Sequence, residues 1–180
     1  MTQTSRQIVR TGIAKFFGGS TYDTEARAYR GSGPLQQYGL STVRAYQPKR
    51  MPDEDYVFGQ NAGRGMGAVM VVEMPNEQER RDAKPAYGGK KRITYTVVLH
   101  VYHLAWQNHS EDAEQDVDLL LEQVKALLRS DITLGGVVNL QAGESRMGIR
   151  TRVMPPIVVE KEKTASAFDV TFEAEIEIVG

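Results

Sequence analysis

Apolar and polar residues alternate through AFDVTFEAEIEIVG at 167–180, with Phe168, Val170, Phe172, Ala174, Ile176 and Ile178 on one side and Glu173, Glu175 and Glu177 on the other. A period of two predicts a strand with one buried face. The same signal marks LSTVRAYQ at 40–47, GAVMVVEM at 67–74, the long run ITYTVVLHVYHLAW from 93, and RMGIRTRVM at 146–154. Each is rich in β-branched or aromatic residues, and Pro48, Pro75 and Pro155 are expected to close the strands they follow.

Two segments carry the helical period instead. In SRQIVRTGIAKFF, Ile8, Ile13, Phe16 and Phe17 form one stripe, and Gly18 and Gly19 supply the stop. In SEDAEQDVDLLLEQVKALLRSD, Ala113, Val117, Leu120, Leu121, Val124, Leu127 and Leu128 make a wide stripe suited to packing on a sheet. Ser110 is the expected N-cap, acids crowd the first turn, and Lys125 and Arg129 occupy the last, as the helix dipole favours.

The predicted order is a short N-terminal helix, strands, a long amphipathic helix, then strands to the end. Alternating βα units are missing, so the fold class is α+β, with a mostly antiparallel (mixed) sheet and the long helix on one face. A chain of 180 residues fits one domain, 1–180. Long loops are expected at about 18–39, 48–66 and 75–91. Structureless loops of that length are uncommon in a self-sufficient domain, which suggests ordering by a partner.

Charge alters this picture more than composition does. The net charge is −1, yet residues 1–50 hold eight Lys or Arg against Asp23 and Glu25 alone, while Glu111, Asp112, Glu114, Asp116 and Asp118 open the long helix with no base among them. Such segregation suggests complementary surfaces meeting within the fold or between copies. The segment 75–92 carries Arg80, Arg81, Lys84, Lys90, Lys91 and Arg92 against three acids, a candidate contact with phosphate or an acidic neighbour. With the acidic loop Asp53, Glu54 and Asp55, these bases are the candidate subunit or partner interface.

Neighbouring glutamates on the last strand stand roughly 7 Å apart, a repulsion of about 0.6 kcal/mol per adjacent pair in water. One expected offset is a cross-strand row of Arg146, Arg150 and Arg152 on the segment at 146–154. The alternative is an acidic surface that a polyanion such as DNA does not adhere to.

Reaction chemistry is sparse. The chain has no cysteine, so no disulfide scaffold, thiolate metal site or cysteine nucleophile is available. His100 and His103 are three apart on a strand and point to opposite faces, so they do not share a metal ion; His109 lies beyond the strand. GRGMG at 63–67 and YGGKKR at 87–92 precede strands and lack phosphate-loop spacing. No G-x-S-x-G elbow is present, and Asp53, Glu54 and Asp55 in a solvated loop would keep ordinary pKa values. No enzymatic activity, no cofactor and no metal are expected. No apolar run approaches the roughly 20 residues that span a bilayer, and a soluble protein made inside a cell is expected.

The second half of the chain resembles the tail terminator (tail completion) proteins of long-tailed bacteriophages. The likeness covers about 92–180 and lies in YTVVLHVYHLAW, the long helix ending LLRSDITLGGVV with its D-x-T-L-G-G turn, RMGIRTRV, and FDVTFEAEIEI. It implies a non-enzymatic virion protein, assembled in the host cytoplasm, forming a homo-oligomeric ring of six copies on the head-proximal end of the tail tube. That ring would stop tube polymerisation and dock the head connector, while DNA passes through its lumen without specific binding. Its partners would be itself, the tail tube protein and the head–tail connector protein, with no membrane. The competing readings are another neck or tail-assembly protein, either a connector component or a tube subunit, and a small-molecule enzyme.

Overall fold

The structure, a computed structural model, describes residues 5–47, 66–82, 90–105, 110–160 and 163–179. Within them two α-helices pack on a mostly antiparallel eight-stranded sheet. Helix α1 spans Ser5–Gly18 and α2 spans Ser110–Ser130. The strands are β1 (Tyr22–Asp23), β2 (Ala28–Arg30), β3 (Leu40–Arg44), β4 (Met66–Asp82), β5 (Lys90–Ala105), β6 (Gln141–Ala142), β7 (Arg150–Glu160) and β8 (Lys163–Val179).

The sheet runs β1-β2-β3-β4-β5-β8, and β6 and β7 share the far side of β8. Among the described strands only β3 and β4 pair in parallel. The centre is the antiparallel trio β4, β5 and β8, in register at Met70, Val101 and Phe168 and again at Val72, Leu99 and Val170. These rows are buried with Val9, Ile13 and Phe17 of α1 and Val117, Leu120, Val124 and Leu128 of α2, giving one apolar core on a single face of the sheet. Burying each such side chain contributes about 1.5–3 kcal/mol, so the alternation in β5 and β8 fixes both register and face.

The turn after α2 is held by one carboxylate. Asp131 accepts from the backbone N–H and hydroxyl of Thr133, at 2.8 and 2.6 Å, and from the N–H of Gly135 at 2.8 Å. These bonds, the Thr133 hydroxyl first, hold its pKa below the usual carboxylate value. Leu134 sits at φ 49 with its side chain fully buried, and Gly135 and Gly136 follow at φ 72 and 81. A left-handed leucine is uncommon; the cap and the buried side chain offset its strain. α1 passes close by, and a methyl group on Gly12 would run into Val137.

Three expectations need correction. The segment 18–39 is not one loop: it contains β1, β2 and a 3-10 turn at Gln36–Tyr38, elements too short to show a period. Asp23 organises it, accepting from the N–H groups of Glu25 and Ala26 and from Arg30 Nε. Nor are the described ends of 75–91 loop, since β4 runs through Pro75 to Asp82 and β5 begins at Lys90, while 83–89 lie outside the described residues. Likewise β7 continues through Pro155 and Pro156 to Glu160. Both proline sites coincide with breaks in register, Glu73 to Asn76 and Met154 to Ile157, where a residue without an N–H leaves no ladder bond unmade. The expected loop at 48–66 lies outside the described residues except for Met66, which opens β4.

Candidate assembly surfaces

The glutamate row does not face the arginine row. β7 does pair antiparallel with β8, but Arg150 stands opposite Thr171 and Arg152 opposite Asp169, while Arg146 precedes the strand in a turn closed at Gly148. Glu173, Glu175 and Glu177 face Thr96, Thr94 and Arg92 of β5 instead. The difference is one of register: β7 starts too late to reach the end of β8 that carries the acids.

What offsets the acids is local. Lys90 Nζ donates to Glu177 Oε1 at 2.9 Å, and Arg92 Nε lies 3.6 Å from Glu177 Oε2. Lys90 is the leading cause of a Glu177 pKa below the usual value. Gln141 Nε2 donates to Glu175 Oε2 at 3.1 Å, and Asn139 bonds both backbone groups of Glu177. The row is half-buried, with β6 paired alongside it at Glu175.

The basic candidates fall mostly on the β4–β5 hairpin. Arg80 is in register with Arg92, and Arg81 with Lys91. Arg81 Nε and Lys91 Nζ both approach Glu79 Oε1, at 3.1 and 3.4 Å, and hold its pKa down. These pairs are exposed, and each contributes little stability. Lys84, Asp53, Glu54, Asp55 and His109 lie outside the described residues.

His100 and His103 take opposite faces. On the polar face, the His100 ring bridges strands: Nδ1 lies 2.7 Å from Asp169 Oδ1 and Nε2 2.6 Å from Glu73 Oε2. Burial is the largest single influence and opposes its charge, but the two carboxylates together hold its pKa above the ordinary histidine value. On the core face His103 is fully buried beside Ser166, its register partner, and neither ring nitrogen has a hydrogen-bond partner among the described residues. Burial pushes its pKa down, with Asp116 opposing. Sequence reasoning missed the bridge because period-two alternation shows that His100, Glu73 and Asp169 are polar-face positions without showing that they are neighbours. Among the described residues no group of three His, Cys, Asp or Glu is arranged to hold a metal ion.

A groove of about 440 Å3 opens between α2 and β7, lined by Glu114, Val117 and Asp118 of the helix, by Val153, Met154, Pro155 and Pro156 of the strand, and by Ser166. Next to it the edge strand exposes Val153, Ile157 and Val158, half to two-thirds accessible. No helix among the described residues is long and apolar enough to cross a membrane. Comparison with protein-family models and with curated protein sequences found no match to this chain.

Proposed function

We propose that this chain is a bacteriophage tail terminator, a structural virion protein without catalytic activity. Copies form a ring, of six in the expected case, on the head-proximal end of the tail tube. The ring ends tube growth, docks the head connector and leaves a lumen for DNA.

The observation that carries the reading is the continuous unit built by β5, α2, the Asp131–Gly136 turn, β7 and β8. The segments that resemble the family lie on strands of one sheet, with β6 between the turn and β7, and α2 packs its apolar side on that sheet. Two features support a role exerted through contact. On the polar sheet face His100 is engaged with Glu73 of β4 and Asp169 of β8, so that charged pairs join the central strands. A long edge strand, β7, displays apolar side chains at the rim.

Deleting the gene from a phage that encodes it tests the reading. Tails of uncontrolled length that fail to join heads are expected, together with rings of the purified protein in electron micrographs. Normal tails of fixed length in the deletion would overturn it.

A further inference from the structure

His103 lies on the core face near the end of β5, fully buried, with no hydrogen-bond partner for either ring nitrogen among the described residues. The flanking strands offer nothing ionisable: Ala68 stands opposite it on β4 and Ser166 on β8, and the Ser166 hydroxyl is itself sealed and unpartnered. A neutral imidazole is tolerated in such a place. An imidazolium is not, because a buried charge needs a counter-charge or water.

The helix above it is α2, and Asp116 is the charged group that acts on the ring. Asp116 is half-buried, whereas Glu114 and Asp118 of the same helix are exposed. Arg150 and Arg152 of β7 are in register with Thr171 and Asp169, on the other face of the sheet together with His100. Burial lowers the ring's pKa, and Asp116 opposes that without reversing it.

The first half of α2 is weakly anchored. Its buried side chains are the small Ala113 and Val117, while Leu120, Leu121, Val124 and Leu128 follow farther along and the Asp131 turn fastens the far end. The groove separates Val117 from β7, so on that flank little has to be displaced. Opening a segment of this kind costs less than unfolding the whole chain.

We propose that the first half of α2 is a proton-operated flap: protonation of His103 lifts residues 113–119 from β5 and β8 and widens the groove, while the rest of the helix and the sheet stay folded. Lifting lets water reach the imidazolium and leaves Asp116 hydrated beside it. The inference is independent of the ring reading.

Hydrogen–deuterium exchange of the full chain near pH 7.5 and near pH 5, with rates normalised for intrinsic exchange, tests it. A ring that ionises near about 6.5 when exposed and stays neutral in place favours opening by up to about thirtyfold at the lower pH. Amides of 114–119 should lose protection by about that factor, and those of 97–101 and 124–128 should keep theirs. His103→Leu should abolish the change. Asp116→Asn should move the opening to lower pH, since it removes the carboxylate that favours the charged ring, and this variant decides the matter if leucine disturbs the fold. A loss of protection below about threefold in the wild type overturns the proposal. So does the same loss in His103→Leu, an unmoved profile in Asp116→Asn, or a loss spread evenly over the sheet and both helices.

Discussion

His100 Nδ1 lies 2.7 Å from Asp169 Oδ1 across the β5–β8 register, and because the other ring nitrogen reaches Glu73, one imidazole ties three central strands together. The charged groups around it are mixed: Glu73 on β4, Asp169 on β8, Arg152 opposite Asp169 on β7, and Arg44 on β3 opposite Val71. Since its pKa is raised on folding, the bridge stabilises fully below the unfolded histidine value of about 6.5 and fades as pH rises through the folded one. Urea unfolding of the wild type and His100→Asn should differ by roughly 1–2 kcal/mol near pH 6, with the gap closing toward pH 9. A gap independent of pH would show that the bridge carries no charge.

His103 should behave in the opposite sense. Its pKa is lowered, so the folded chain refuses a proton that the unfolded chain accepts, and stability falls as pH drops below the unfolded value. Replacing it with leucine removes two unpartnered nitrogens from the core. The variant should gain about 1–3 kcal/mol at neutral pH and lose less on acidification. Lower stability at pH 7 would mean that the ring's shape matters more than its unmet hydrogen bonds.

Gly12 is expected to reject a side chain. Alanine in a helix interior normally gains up to about 1 kcal/mol over glycine, but here its methyl would strike both γ-carbons of Val137. Overpacking of this kind costs about 1–3 kcal/mol, so Gly12→Ala should lower the melting temperature. Adding Val137→Ala should recover much of the loss, and a double-mutant cycle measures that coupling.

Glu177 should report on acid. Its lowered pKa contributes stability above the ordinary glutamate value, lost as pH falls through the folded one. Glu177→Gln should therefore lower the urea midpoint at pH 7 and leave it nearly unchanged at pH 3.

Leu134→Ala tests the turn that closes α2. The side chain is fully buried and its backbone left-handed, so truncation should cost about 2–5 kcal/mol. Calorimetry checks the value, and a loss below about 1 kcal/mol would mean that the turn collapses onto the space.

The central sheet was legible in the sequence because periodicity encodes burial directly: Val97, Leu99, Val101, Phe168, Val170 and Phe172 alternate, and all are fully buried. Registers were not legible. Nothing in RMGIRTRVM shows that Arg152 stops opposite Asp169, so the arginine row was set against the wrong acids. Proline was misread as an end in β4 and β7, because its effect depends on whether the missing N–H would have had a partner. The groove was invisible for another reason. It needs α2 placed over β7, and Ser166 gave no sign of being unlike any other strand serine.

Prolines inside β7 also bear on how the free chain behaves. A rim of exposed valine and isoleucine with uninterrupted N–H groups would invite any extended peptide to zip on. Pro155 and Pro156, at the shift in pairing, break that template after Met154 and leave only a short stretch open to an ordered partner. The free chain is thus guarded against indiscriminate strand addition along that margin.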